Sequence, residues 1–218
     1  VSPATIRQDL SSLENEGFLK RVHGGAVLNE SDDISHRMAI NYNEKVKIAI
    51  KAAEFINEGD TIFVESGSIN ALFVKEIAFI KDLTIITSNA FIAKSIDQSV
   101  GCNVVLLGGV YQEESESIVG NLAKLCIETL NFSKVFLGID GYTFNTGITG
   151  RDMMRSEIAS LVVSKGTEIF ILTDSSKFGR INMSKYCSLE DIDHIITDSD
   201  ITNEYRDYIH SHTDLIIT

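Results

Sequence analysis

Two rhythms of apolar residues alternate along this chain of 218 residues. Ile6, Leu10 and Leu13 follow at spacings of four and three, which puts them on one stripe of a helix. Ser2 suits the cap of that helix and Gly17 its end, while Pro3, the only proline of the chain, falls in its first turn. The helix is therefore expected from Pro3 to about Glu16. Phe18 to Val22 reads as a strand, His23-Gly24-Gly25 as a turn and Ala26 to Leu28 as the return strand. Residues 29–44 are polar without sustained periodicity and read as a linker, with a boundary near Asn41. From Lys45 onward, expected helices alternate with short apolar runs expected as strands. The helices are placed near 45–57, 70–80, 90–97, 121–130, 152–165 and 203–211, and the strands near 61–65, 84–87, 103–107, 134–138, 168–173, 194–197 and 214–217. Such alternation implies an α/β fold with a mostly parallel, doubly wound, Rossmann-like sheet. The expected organisation is a small module over 1–28, a linker over 29–44 and a large domain over 45–218.

Charge sharpens this division. The chain carries a net charge of −12, yet Arg7, Lys20 and Arg21 balance Asp9, Glu14 and Glu16 within residues 1–28. A neutral end on an acidic body fits a nucleic-acid-reading module attached to a domain that does not touch nucleic acid. Ser2, Thr5, Arg7 and Gln8 gather near the start of the first helix and suit phosphate contacts and base edges. Lys20, Arg21 and His23 would line the hairpin against the DNA backbone. The chain lacks an initiator Met and leaves no room for preceding helices, so the sequence is expected to hold the back half of a DNA-binding module. There is no apolar run of membrane-spanning length and no signal-peptide pattern, and a cytoplasmic protein without membrane contact is expected. Cys102, Cys126 and Cys187 match neither a zinc spacing nor a disulfide framework. His210 and His212 point to different faces of a helix, and neither a metal nor a cofactor is expected.

In open parallel sheets ligands bind beyond the carboxyl ends of the strands. Those ends here carry Glu65-Ser66-Gly67-Ser68-Ile69-Asn70, Ser88-Asn89, Gly108-Gly109, Gly138-Ile139-Asp140-Gly141 and Asp174-Ser175-Ser176-Lys177. Glycines, hydroxyls, amides and one lysine suit a phosphorylated polyhydroxy ligand. Gly67 allows close approach of backbone, the following helix offers free N–H groups, Lys177 supplies a point charge, and Asp140 and Asn89 suit sugar hydroxyls.

The first 26 residues, VSPATIRQDLSSLENEGFLKRVHGGA, closely resemble the DeoR family of bacterial transcriptional regulators, which reads V-S-x-x-T-I-R-R-D-L-x-x-L-E-x-x-G-x-L-x-R-x-H-G-G-A. Gln8 stands where that family usually has a second arginine. The resemblance continues to about Asp198 through Glu65 to Ile69, Ser88-Asn89, Gly108-Gly109, Val119-Gly120, Gly138 to Gly141, Gly147, Glu157 and Ser176-Lys177-Phe178-Gly179. It implies the rear part of a winged helix-turn-helix followed by a sensor domain similar in fold to ribose-5-phosphate isomerase. It also implies operator DNA as partner of the full-length protein, and a phosphorylated sugar or polyol as effector. Glu65, Ile69 and Gln112 stand where the family commonly has Asp, Thr and Arg, and these departures bear on which ligand fits. The expected function is a repressor of a sugar or polyol catabolic operon, acting as a homo-oligomer because winged-helix proteins usually read paired half-sites. The competing reading is a sugar-phosphate isomerase in which Asp140, Glu157 and Lys177 meet. It is disfavoured because only one acid follows the fourth strand.

Overall fold

The computed structural model describes residues 2–15, 19–28, 33–96, 101–165 and 167–218. The expected helix stop at Gly17, the strand start at Phe18, the first linker residues and the helix end at Asp97 lie outside them. Helix α1 (Pro3–Asn15) leads to the antiparallel hairpin β1 (Leu19–Val22) and β2 (Gly25–Leu28), with Val22 opposite Gly25. Ser2 caps α1, its Oγ accepting the Thr5 N–H at 3.2 Å. Arg21 donates to Ser11 Oγ at 3.0 Å and ties the hairpin to the helix.

The body runs α2 (Ile34–Ala39), α3 (Tyr42–Ala53), β3 (Thr61–Val64), α4 (Ser68–Ile77), β4 (Thr84–Thr87), α5 (Ala90–Ser95), β5 (Asn103–Leu106), β6 (Val110–Gln112), β7 (Ser117–Val119) and α6 (Asn121–Thr129). It continues with β8 (Lys134–Leu137), β9 (Gly141–Thr143), β10 (Gly147–Gly150), α7 (Met153–Val163), β11 (Glu168–Leu172), β12 (Ser184–Cys187), β13 (His194–Thr197), α8 (Asn203–His210) and β14 (Asp214–Ile217). Among the described residues seven strands form one sheet in the order β14-β13-β11-β8-β3-β4-β5. Every neighbouring pair in it is parallel. Strands buried on both faces account for the unbroken apolar runs TIFV, KVFL and EIFIL.

The two faces carry separate cores. On one, α3, α4 and α5 pack Ile48, Phe73, Val74 and Ile92 against Phe136 and Phe170, whose rings stack 4.7 Å apart. On the other, α6, α7 and α8 pack Ala123, Ile158 and Ile209 against Phe63 and Val135. The chain runs outward from β3 through β4 to β5, then returns to lay β8 on the other side of β3. That reversal opens a crevice at the carboxyl ends of β3 and β8.

Two features go beyond the alternating pattern. A three-stranded antiparallel sheet, β12-β10-β9, and the hairpin β6–β7 fill the loops over the carboxyl-end rim. Gly141 is required there, because a Cβ would lie 2.4 Å from the Arg180 carbonyl oxygen. The segment read as a linker contributes α2, whose Ile34 is buried in the core beside α4. Asp33 caps it by accepting the His36 N–H at 3.2 Å. Ile34 and Met38, four apart, both pack on that core, but two apolar residues in a polar segment are too few to register as a period.

Candidate functional site

The crevice between β3 and β8 holds a cleft of two adjoining lobes that share Arg37, Gly138 and Ile139. One lobe is walled by Gly67, Ser68, Ile69 and Asn70 at the start of α4, and by Asp174 and Lys177 beyond β11. Gly67 is the N-cap of α4 and supplies no side-chain cap, so the first-turn N–H groups have no intrahelical partner. Their positive dipole end, Lys177 and Arg37 converge on one small space. Burial holds the Lys177 amine below its ordinary value, against the pull of Asp174.

The other lobe is lined by Glu65, Ser66, Asp140, Arg151, Asp152, Arg155, Ser156 and Tyr186, with Arg37 again at its edge. Burial pushes the Glu65 carboxyl up to about 8, with Asp140 adding to the rise and Arg155 opposing it. Burial also works to raise Asp140, but Arg37, the Arg151 N–H and Arg155 outweigh it and hold that carboxyl below its ordinary value. Arg37 lies 3.4 Å from Asp140, and the Arg151 N–H donates to the second carboxylate oxygen at 3.0 Å. The Tyr186 hydroxyl donates to the Gly138 carbonyl at 2.7 Å and fixes the floor. Ser66 Oγ, Ser156 Oγ and Asn70 Oδ1 are buried with no hydrogen-bond partner. Buried polar atoms rarely stay unpaired, and three bordering one cleft mark where a polar ligand or water would bind.

Arg37 reaches the cleft because α2 is pinned. The Lys45 amine of α3 donates to the Arg37 carbonyl at 2.5 Å and lies 4.0 Å from Asp174. Burial lowers Lys45 to about 8 even though Asp174 works to raise it.

The structure brings together seven of the residues named from sequence: Glu65, Ser66, Gly67, Ser68, Asn70, Asp140 and Lys177. It places others elsewhere. Asn89 caps α5 by accepting the Ile92 N–H and donates to the Ser115 carbonyl at 2.8 Å. The Ser88 carbonyl accepts the Ile118 N–H. Gly108 lies beside Leu122, and Gly109 has a φ of +156° with no room for a Cβ against the Val119 carbonyl. Gly141 backs onto Arg180, and Glu157 pairs with Lys124 on the surface. Ser176 Oγ bonds to Asp174 within a short turn. Gln112 reaches Asp152 at 3.2 Å, just behind the second lobe.

Arg37, Lys45, Arg151, Asp152, Arg155, Ser156 and Tyr186 were not selected from sequence as ligand residues. Arg151 lies before the cap of α7 and Arg155 in its first turn, so helical spacing could not pair them. Tyr186 lies on a strand that the alternation does not reveal.

On α1, Ser2, Thr5, Arg7 and Gln8 are exposed near the helix start, as are Arg21 and His23 in the hairpin region. Lys20 sits on β1 opposite Val27. Among the described residues no helix is long and apolar enough to cross a membrane, and no cluster of three metal-ligating side chains occurs.

Comparison with known families matches residues 40–199 to the DeoR C terminal sensor domain and residues 1–32 to the DeoR-like helix-turn-helix domain. The chain is 33% identical over 205 residues to the HTH-type transcriptional regulator GolR of Listeria innocua, covering 92% of this chain and 81% of that protein. It is 28% identical over 215 residues to the HTH-type transcriptional regulator IolR of Bacillus subtilis, covering 97% and 86%. A lactose phosphotransferase system repressor of Lactococcus lactis is 31% identical over 223 residues, covering 99% and 87%. Among solved structures, eIF2B beta from Chaetomium thermophilum shares the fold with a TM-score of 0.51 at 15% identity, covering 83% of this chain and 57% of that one. Ribose 5-phosphate isomerase A from Methanocaldococcus jannaschii aligns with a TM-score of 0.46 at 17% identity, covering 63% and 55%.

Proposed function

Because the chain belongs to the DeoR family of helix-turn-helix transcriptional regulators, we propose that it represses a sugar or polyol catabolic operon and is controlled by a phosphorylated effector held in the two-lobed cleft. The observation that carries this reading is the division of chemistry between the lobes. The first gathers the open start of α4, Lys177 and Arg37, which suits a phosphate. The second gathers Glu65, Asp140 and Asp152 beside Arg151 and Arg155, with the unpaired Ser66 and Ser156 hydroxyls, and such alternating donors and acceptors suit a chain of sugar hydroxyls. The name of the Lactococcus lactis relative, a phosphotransferase system repressor, supports a link to sugar uptake.

In this reading residues 1–28 read operator DNA, the body from Lys45 onward binds effector, and α2 joins them while lending Arg37 to the cleft. The protein acts in the cytoplasm and does not turn its ligand over. Asp140 is bound to Arg37 and Arg151, and Glu157 is paired away from the cleft, so the three groups Asp140, Glu157 and Lys177 do not meet as an isomerase reading would need.

A calorimetric and thermal-unfolding titration with phosphorylated sugars and polyols, each beside its unphosphorylated form, tests the proposal. At a hundredfold excess over the dissociation constant, a cognate phosphorylated compound should stabilise the fold by about 2.7 kcal/mol, and its unphosphorylated form should not. An equal response to both forms would remove the phosphate from the first lobe and sink the effector assignment.

A further inference from the structure

Away from the effector cleft, the antiparallel sheet β12-β10-β9 and helix α8 border a second cavity of about 160 Å³. Tyr142, Phe144 and Asn145 reach it from β9 and the turn that follows. Lys185 comes from β12, Glu190 from the short turn Leu189–Asp191, and Tyr208 from α8. None of these six residues lines either lobe of the first cleft.

Local packing places these groups. Gly147 has a φ of +81°, and a Cβ there would lie 3.2 Å from Lys185 Cε, so the bare glycine leaves room for the lysine stem beside β10. The Tyr142 side chain is wedged between Phe144 and Phe178, whose rings stand edge-on to it at 6.2 and 6.1 Å. Tyr142 is only 2% exposed, yet its hydroxyl makes no hydrogen bond to any described residue. Burial raises that hydroxyl above its ordinary value, with Tyr208 and Glu190 adding to the rise, so it stays a neutral phenol able to donate and to accept. The polar end of so buried a side chain is rarely left without a partner.

Lys185 and Glu190 border the same cavity, and among the described residues neither charged group makes an ion pair or a hydrogen bond, with each other or with any neighbour. Opposite charges on one rim attract, but these stay apart and leave one positive and one negative wall. An anion alone would meet Glu190, a cation alone would meet Lys185, and a neutral guest would strip water from both charges without replacing it. A guest carrying both charges satisfies both walls. Phe144 and Tyr208, with ring centroids 4.6 Å apart, add ring faces that favour an ammonium. The volume holds roughly five water-sized groups at about 30 Å³ each, so the guest is compact. We propose that this cavity binds a free α-amino acid, with its carboxylate on Lys185 and its ammonium between Glu190 and the Tyr142 and Tyr208 hydroxyls. The strand β9 joins this site to the first cleft. Asp140 precedes Tyr142 by two residues, and the Tyr142 carbonyl accepts the N–H of Gly179, two residues beyond Lys177, at 2.8 Å. The proposal does not depend on the effector reading, so its test is run without sugar phosphate.

The test is a thermal-unfolding and calorimetric titration of the full chain with the proteinogenic L-amino acids, each beside its N-acetyl and its amide form. At least one free amino acid should bind saturably at or below about 1 mM. Capping either end should weaken it roughly tenfold or more, the scale of a lost charge-assisted hydrogen bond. Lys185→Ala and Glu190→Gln should each cost a similar factor and leave the unfolding midpoint of the free protein in place, because both side chains are exposed. Tyr142→Phe removes only the hydroxyl and should weaken binding in the same direction, which keeps a readout should a rim variant fail to fold. Absence of binding by every amino acid up to about 10 mM overturns the proposal. So do capped forms that bind as well as free ones, or variants of Lys185 and Glu190 that bind undiminished. A response that disappears in Lys177→Ala would put the amino acid in the first cleft and overturn it equally.

Discussion

Glu65→Gln probes the electrostatics of the cleft directly. The Glu65 carboxyl sits at the end of β3 with 9% of its surface exposed, and burial lifts it from 4.5 to about 8 despite Arg155. Between those values the folded chain holds a proton that the unfolded chain has released, so stability falls as pH rises. The loss is absent below about pH 4.5, accumulates up to about pH 8 and is complete above it. Its slope inside the window is about 1.4 kcal/mol per pH unit. Between pH 5 and pH 8 the wild type should therefore lose about 3 kcal/mol that the glutamine variant keeps. Urea unfolding of both proteins at several pH values measures this, and subtracting one curve from the other removes the groups they share. A difference that stays flat with pH would show Glu65 ionised throughout, with Arg155 winning over burial. A protonated Glu65 at neutral pH matters for recognition, because it can donate a hydrogen bond to a ligand oxygen where a carboxylate can only accept one.

Lys177→Ala should weaken a phosphorylated effector by roughly ten- to a hundredfold, on the scale of a charge-assisted hydrogen bond, and leave any weak binding of the unphosphorylated form unchanged. Calorimetry decides this, and equal losses for both forms would place the phosphate elsewhere. Arg37→Ala should lower effector affinity by a similar factor and should also lower stability at neutral pH, since it leaves the largely buried Asp140 carboxylate without its main counter-charge. A large drop in stability with unchanged affinity would make Arg37 structural. Asn89→Ala removes a helix cap and two bonds to the 115–117 loop, and should cost about 2 to 3 kcal/mol in urea unfolding. Unchanged stability would mean that solvent replaces those bonds.

The large sheet was legible in the sequence because each of its strands is short, apolar and flanked by a helix-period segment. Strand ends followed from the strands, which is why Glu65, Gly67, Asp140 and Lys177 could be named as neighbours across more than a hundred residues. The same rule treats every carboxyl end alike. It therefore swept in Ser88, Asn89, Gly108 and Gly109, which the structure puts beside the β6–β7 hairpin, with Asn89 capping α5. Only the topological reversal between β3 and β8 singles out one crevice, and strand order is not written in periodicity. The antiparallel sheet over the rim escaped because β9 and β10 are three- and four-residue strands, GYT and GITG, with too little alternation to register. Arg37 escaped for a different reason. One arginine in a polar segment reads as solvated until the packing of Ile34 and the Lys45 bond turn its helix toward the cleft.

The placement of Arg37 gives the proposed regulation a physical route. An effector changes DNA binding only if it favours one arrangement of the connecting segment over another. Arg37 faces Asp140, and its backbone carbonyl is held by Lys45. A phosphate at the start of α4 would compete for the guanidinium, since phosphate offers bidentate geometry and a higher charge than one carboxylate. Asp140 would keep the Arg151 N–H and would turn its other oxygen to a sugar hydroxyl. Both ends of the ligand thus gain from breaking the same ion pair, so a sugar or a phosphate alone should break it less effectively than the two joined. The displaced side chain belongs to α2, which begins at Ile34, directly after the segment that leads from the DNA-reading hairpin. Couplings of about 1 to 3 kcal/mol are typical of regulation. One charge-assisted hydrogen bond is worth about 1.5 to 3 kcal/mol, and passing an arginine from Asp140 to a phosphate gains the difference of two such bonds, so the arginine supplies the low end of that coupling with no rearrangement of the sheet.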